Sequence, residues 1–346
     1  MKKVDTLIVG LGLAGLAYAE TLYRNNRSFH VIDRPASGSS VVAGGIYNPT
    51  LLKRFTMTWM GGEFYQTALP FYRALENRFQ TSFLFPAPIK KIFNSQRDHN
   101  DWSAAADRVG LSDFLDPSLH FTPLDGVKTP FGHGVVRACG RLDIPHLLTT
   151  YAEWLGDRID FTPFDHDRLQ FTSSGLRYGG IVAQRIVFCE GYKMKSNPYF
   201  NALPLQGSKG QILLIHCPDL PEDTILKGSM FLAPLGDHLF WAGASYEPHD
   251  KSLELTQEAR ASLEKNIRKM IDVPFEVRQQ LTQIRPTVSD RRPLIGQHPR
   301  HDSLFLLNGM GSRGVLTAPL AAEWLFASIY DAVPLPKAVD IARFEI

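Results

Sequence analysis

The stretch Val4-Asp5-Thr6-Leu7-Ile8-Val9-Gly10-Leu11-Gly12-Leu13-Ala14-Gly15 decides the fold. Val4 to Val9 is a short apolar run that stops at a glycine, and the positions that follow, Ala14, Leu16, Ala17, Ala19 and Leu22, have the spacing of a closely packed helix. Phe29 to Ile32 resumes as a strand and ends in Asp33. A strand, a glycine turn, a helix and a second strand within about 30 residues is the context in which Gly-x-Gly-x-x-Gly carries meaning. There Gly10 permits a tight turn, Gly12 lets a pyrophosphate approach the backbone, and Gly15 lets the helix pack on the strand. The helix N-terminus then faces the phosphate charge. Asp33 is placed to accept hydrogen bonds from the hydroxyls of a ribose. The stretch predicts an α/β, Rossmann-like domain that holds the adenosine half of a dinucleotide.

With 346 residues, 44% hydrophobic and 21% charged, the chain is long enough to divide its core between two domains. A net charge of +2, from 37 basic against 35 acidic side chains, leaves no global field that compels a nucleic-acid or membrane partner. Cys139, Cys189 and Cys217 are too far apart for a disulfide framework or zinc spacing, and read as buried hydrophobes in a reducing compartment. No metal site is expected. Lys2, Lys3, the apolar run and Ala17-Tyr18-Ala19 imitate a secretory signal, but Asp5 and the three spaced glycines oppose that reading. No stretch reaches the roughly 18 apolar residues of a membrane span. The expectation is a soluble, cytoplasmic protein.

Residues 56 to 135 carry aromatic clusters and prolines without βα alternation, as an inserted substrate domain would. A helix is expected on Ile144, Leu147, Leu148, Tyr151 and Leu155, then three short strands, Leu169 to Thr172, Gly180 to Ala183 and Arg185 to Cys189. Gln211 to Ile215, Met230 to Ala233 and Leu239 to Gly243 suit an antiparallel or mixed sheet. Leu255, Ala259, Leu263, Ile267 and Ile271 form one apolar stripe of an amphipathic helix. Thr317 reads as an N-cap, with Pro319 in the first turn behind it. The expected division assigns 1–50, 140–200 and 283–346 to the cofactor domain, and 51–139 and 201–282 to the substrate domain.

The glycine turn does not separate FAD from NAD. Gly38-Ser39-Ser40, Ala43-Gly44-Gly45-Ile46, Arg285-Pro286 within Ile284 to Gly296, and Gly309 to Pro319 together resemble the D-amino-acid oxidase and glycine oxidase (DAO) superfamily, in order along nearly the whole chain. Gly311-Ser312-Arg313-Gly314, Ala318-Pro319, Ala322-Glu323 and Gly243-Ala244-Ser245-Tyr246 look most like the oxidase module of bifunctional tRNA 5-methylaminomethyl-2-thiouridine biosynthesis proteins. The resemblance implies noncovalent FAD held by Gly10, Gly12, Gly15, Asp33, Arg34, Ser40, Ala43, Gly44, Gly45, Ile46, Gly191, Gly309, Gly311, Ser312, Arg313, Gly314 and Val315. Gly44-Gly45 fits an ordinary tight loop equally well.

Arg285, extended before a proline, presents a planar fork that binds a carboxylate at two points. The resemblance assigns it to the substrate carboxylate and makes Arg313 a second cation nearby. Phe231 falls where glycine oxidase-like proteins place a substrate-facing tyrosine, so the aromatic wall stays and its hydroxyl goes. His133, His298 and His301 read as surface or capping residues. The implied activity is oxidation of a C–N bond in a carboxylate-bearing amine: an amino acid, an N-substituted glycine, or the carboxymethylaminomethyl group of a tRNA wobble uridine. Lys193, Lys195, Lys209, Arg291 and Arg292 are candidates for a basic rim or for solvated lysines and arginines. The competing readings are a flavin-binding protein without turnover and a nicotinamide-dependent dehydrogenase.

Overall fold

The apolar run at the N-terminus forms β1 (Lys2–Val9), followed by α1 (Leu13–Arg24) and β2 (Phe29–Asp33) in a computed structural model that describes residues 1–34, 38–172 and 175–345. β1 is the centre of an eight-stranded sheet and pairs in parallel with β2 on one side and with the strand Ile181–Phe188 on the other. Parallel pairing from β1 to β2 requires a crossover, and α1 supplies it. Beyond β2 lies Ile159–Phe161, and beyond Ile181–Phe188 lies the parallel strand His301–Asn308. Burial on both faces explains why Leu7, Ile8, Val9, Val31 and Ile32 run without polar alternation.

Two of the strands expected between 180 and 189 are one. Ile181–Phe188 continues through Gln184, which reads as a break because it is polar, and Arg185 after it lies 4.7 Å over the Tyr330 ring. An additional strand, Gly175–Tyr178, forms the hairpin before it, with Gly179 at φ +55 in the turn. The helix Ile144–Leu155 buries Ile144, Leu147, Tyr151 and Leu155 as its spacing predicts. Glu20 of α1 is fully buried beside it, held by Arg24 at 2.6 Å and by the Tyr151 hydroxyl at 3.4 Å.

The chain forms two compact units, the first from Met1–Val41, Ile144–Ser208 and Ile284–Ile346, the second from Val42–Asp143 and Lys209–Gln283. Residues 42–50 fall in the second unit, whereas the expected boundary lay at 50.

The second unit is built on a seven-stranded sheet in the order Glu276–Arg285, Ser208–His216, Leu239–Gly243, Phe231–Gly236, Ile225–Lys227, Ile89–Ile92 and His133–Val136. Of its described pairings only Ile225–Lys227 with Ile89–Ile92 is parallel. Alternation along the strands separates two cores. Leu213, Leu226, Leu232 and Phe240 meet the helix Gln257–Met270, whereas Ile89, Ile225 and Ala233 meet Phe55, Phe93 and Trp102. Leu263, Ile267 and Met270 are buried on the first face, and each contributes about 1.5–3 kcal/mol. Leu255 of the predicted stripe lies outside that helix, 52% exposed, because Thr256 caps it by accepting the Ala259 amide. Among the described residues no helix is long and apolar enough to cross a membrane, and no group of three metal-ligating side chains comes together.

Candidate active site

The three glycines of the first turn are required for different reasons. A β-carbon on Gly10 would stand 2.6 Å from the Cys189 carbonyl oxygen, and one on Gly15 would stand 1.8 Å from the Gly10 oxygen. Both positions are fixed by backbone. Gly12 has an ordinary φ of −76, and its β-carbon would meet only Ser40, at 3.1 Å from the hydroxyl. That hydroxyl accepts the Leu13 amide at 3.3 Å. Gly12 is the N-cap of α1 and makes no side-chain cap hydrogen bond. A group that must approach this open helix start gives the position its reason to be glycine, and a pyrophosphate fits it.

Asp33 ends β2 beside this turn, and its carboxylate accepts the amides of Leu11 and Arg34. Burial pushes its pKa up against those bonds and against the charges of Lys193 and Arg34. A ribose hydroxyl would give this carboxylate donors that burial denies it. On the other side of the turn, a β-carbon on Gly314, the first residue of the helix Gly314–Tyr330, would lie 3.3 Å from the Leu13 side chain. Two helix N-termini therefore adjoin, and neither N-cap residue caps its helix with a side chain. Their positive ends lie close together, an arrangement that would suit the negative charge of a dinucleotide.

The C-terminal glycine loop is tied down within the same unit. Asn308 is buried, donates from Nδ2 to the Gly191 carbonyl at 2.9 Å and accepts the Gly309 amide at 2.7 Å. Gly191, Gly309 and Gly311 have φ of +57, +74 and +57, the conformation that favours glycine. The Gly311 amide donates to the Pro286 carbonyl at 3.1 Å, which brings the Arg285-Pro286 corner onto the loop carrying Ser312 and Arg313. Arg285 ends the strand Glu276–Arg285 and donates from Nε to the Ser208 carbonyl at 3.2 Å. Arg313 is the N-cap of Gly314–Tyr330, and burial alone lowers its guanidinium to about 10. Val315 is buried and Ser312 exposed. The helix thus starts before Thr317, which is buried inside it, and Pro319 stands within the helix rather than in its first turn.

The segment Ala43-Gly44-Gly45-Ile46 belongs to the second unit and has packing reasons of its own. A β-carbon on Gly44 would come within 2.7 Å of the Trp241 ring, and one on Gly45 within 1.9 Å of the Leu142 carbonyl oxygen. Trp241 Nε1 donates to the Val42 carbonyl at 2.9 Å, Ile46 pairs with Arg141, and Ala43 is exposed. Phe231 opens its strand half-buried, opposite Lys227, whose ammonium lies 4.7 Å over the ring.

Several expectations need correction. Lys209 is no rim residue: it is fully buried, bonded to Asp250 at 2.5 Å and to the Glu254 carbonyl at 2.7 Å. Lys193, Lys195 and Arg291 are exposed and Arg292 half-buried. His133 and His298 are buried rather than superficial, although His298 Nδ1 does accept the Arg300 amide of a turn. The three cysteines are free and buried, with Cys139 pushed up to about 12 by burial. Asn308 and Trp241 were missed, because an isolated asparagine or tryptophan carries no spacing signal. Each reveals itself only through the glycine it holds.

The sequence profile of the FAD-dependent oxidoreductase (DAO) family matches residues 5–327. The chain belongs to this family. FAD is its cofactor, and the glycine turn, Asp33 and the paired helix starts fit that group. The tRNA 5-methylaminomethyl-2-thiouridine biosynthesis bifunctional protein of Nitrosospira multiformis is 26% identical over 380 residues, and that of Idiomarina loihiensis 24% over 374. The alignments cover 96% and 99% of this chain but only 58% and 59% of those proteins. In fold the chain is similar to glycine oxidase from Geobacillus kaustophilus, with a TM-score of 0.78 at 18% identity over 100% of this chain and 98% of that one. L-proline dehydrogenase from P. horikoshii gives 0.78 at 14% identity, over 99% and 98%.

Proposed function

We propose that this FAD-dependent oxidoreductase oxidises the C–N bond of an amine that bears a carboxylate, with Arg285 as the carboxylate clamp. The observation that carries the reading is the Pro286 to Gly311 hydrogen bond, which joins the Arg285 corner to the loop bearing Arg313 in front of an uncapped helix start. A guanidinium fork holds a carboxylate in one orientation, and this fixes the neighbouring carbon as well as the charge. The half-buried Arg313 adds a second positive charge to the same loop system. FAD, when bound, supplies the hydride acceptor. The protein's part is to bind the carboxylate, orient the C–H bond and keep the amine neutral.

Two substrate scales fit: a free amino acid or N-substituted glycine, and the carboxymethylaminomethyl group on a tRNA wobble uridine, itself glycine-like. The names of the relatives support the second, and the loss of a hydroxyl at Phe231 makes simple glycine a poorer candidate. A cytoplasmic location accords with a tRNA substrate.

The test is anaerobic bleaching of the bound flavin. Modified tRNA is expected to reduce it faster than glycine, sarcosine or D-alanine. Arg285→Lys is expected to weaken substrate binding by roughly one to two powers of ten with flavin content unchanged, since a charged hydrogen bond contributes about 1.5–3 kcal/mol. Flavin that no carboxylate-bearing amine bleaches, or kinetics indifferent to Arg285→Lys and Arg285→Ala, would reject the proposal.

A further inference from the structure

The second unit contains a cavity of about 530 Å³ that owes nothing to the glycine turn or to Arg285. Five cations line it, Lys53, Arg54, Lys91, Arg108 and Lys227, against two carboxylates, Asp98 and Asp101. Both acids are already engaged. Asp98 accepts the Asn94 amide at 2.7 Å ahead of the helix Gln96–Ala106, and Asp101 pairs with Arg97 at 3.5 Å. Among the described residues none of the five cations forms an ion pair.

The placement of two of them is the unusual feature. Lys91 and Lys227 are register partners on the only parallel pair described in this sheet, so the two ammonium-bearing side chains leave the same face of neighbouring strands. Like charges directly opposite one another destabilise a ladder. Lys91 is also only 6% exposed. Each ammonium hydrogen-bonds only a neighbouring backbone carbonyl, Lys91 that of Ile92 and Lys227 that of Gly228 at 3.1 Å, and Lys227 also lies over the Phe231 ring. The same faces carry Ile89 and Ile225 into the apolar cluster around Trp102, so the lysines stand at the end of a hydrophobic core. Burial beside Lys91 and Lys53 drives Lys227 down to about 8, and burial also lowers Lys91. A site that collects five positive charges against two carboxylates and desolvates Lys91 and Lys227, with no ion pair to any of the five, is arranged for an anion from outside.

We propose that this cavity is a phosphate subsite, with Lys91 and Lys227 at its floor and Lys53, Arg54 and Arg108 at its walls. A phosphate group matches the excess of three positive charges better than a single carboxylate, and lysines bind it as point charges without the fork geometry that a carboxylate favours. The phosphate comes either from a polynucleotide backbone or from a small phosphorylated molecule. The inference does not rest on the amine reading, because neither Arg285 nor Arg313 lines the cavity.

The experiment is calorimetric titration of the FAD-loaded protein at low ionic strength, first with inorganic phosphate and then with a short single-stranded RNA. Wild type is expected to bind inorganic phosphate saturably, and Lys91→Gln and Lys227→Gln each to weaken it at least tenfold without changing flavin content. Tighter binding of RNA than of phosphate, lost in the double variant and steep in salt, would assign the group to a polynucleotide. Equal or weaker binding of RNA would assign it to a small molecule. A readout that needs no variant is the NMR titration of the Lys227 ammonium, whose pKa rises when phosphate binds. Wild type that binds neither probe, binding unaffected by the double variant, or a Lys227 titration indifferent to phosphate would overturn the proposal.

Discussion

Lys209 and the pair Lys91 and Lys227 are all lysines drawn into the second unit, and they differ in what meets the charge. Lys209 is fully buried and brings its own partners, Asp250, the Ser252 hydroxyl and the Glu254 carbonyl. The other two face each other across a ladder and hydrogen-bond only backbone carbonyls, with the Phe231 ring beside Lys227. The first unit repeats the contrast with glycines: Gly15 is demanded by the Gly10 oxygen, whereas Gly12 meets nothing but a serine hydroxyl. A residue whose reason lies inside the protein is structural. One whose reason is missing from the protein is the one we propose faces a ligand.

The glycine half of the contrast gives the largest expected effect. Gly15→Ala forces a β-carbon against backbone and is expected to cost at least about 3 kcal/mol, a large part of an ordinary domain's stability, read as lost soluble yield and denaturation midpoint. Gly12→Ala is expected to leave the melting temperature of flavin-free protein within a few degrees of wild type while flavin occupancy falls severalfold. Equal flavin occupancy in Gly12→Ala and wild type breaks the comparison.

Among the lysines, Lys209→Met is expected to lower Tm by several degrees, because it strands Gln211, Glu247 and Asp250 in a network built around the ammonium. Asp250, held down to about 2 chiefly by the Lys209 hydrogen bond, is expected to titrate nearer its ordinary value in that variant. Lys227→Met is expected to do the opposite and raise stability by about 0.5–1 kcal/mol, since it removes a like charge directly opposite Lys91. A loss of stability in Lys227→Met would show that this lysine, too, is structural.

A further effect is an acid limb. Burial lowers His133 to about 4, with His120 and Lys90 adding to the shift. The unfolded chain therefore binds a proton near pH 6.5 that the folded protein refuses, so this contribution is complete above that pH and is lost as pH falls towards 4. Each unit of displacement corresponds to about 1.4 kcal/mol. His133→Asn is expected to flatten denaturation midpoints between pH 6.5 and 4; an unchanged slope assigns the acid limb to other groups.

What was legible in the sequence was local. The β1, α1 and β2 order and the stripe on Ile144–Leu155 follow from spacing within one or two elements. The nineteen-residue helix Gly61–Phe79 escaped notice because Pro70 stands inside it and glycines begin it, both of which read as interruptions. The fused strand Ile181–Phe188 escaped because Gln184 mimics a loop. The candidate site divides in the same way: the glycine motifs are visible as words, whereas Asn308 and the Pro286 to Gly311 bond join segments far apart in the chain. Lys91 and Lys227 are plain surface lysines until strand register places them side by side.

The depressed pKa of Lys227 also makes this residue a chemical handle. With a value of about 8, roughly a tenth of the side chain is free amine at pH 7, more than a hundredfold above an ordinary lysine. Free amine is the nucleophilic form, so an acylating or reductively alkylating reagent used below stoichiometry would mark Lys227 ahead of the chain's solvated lysines. The cavity would then be readable by peptide mass mapping, and a bound anion would be seen as protection of a single site.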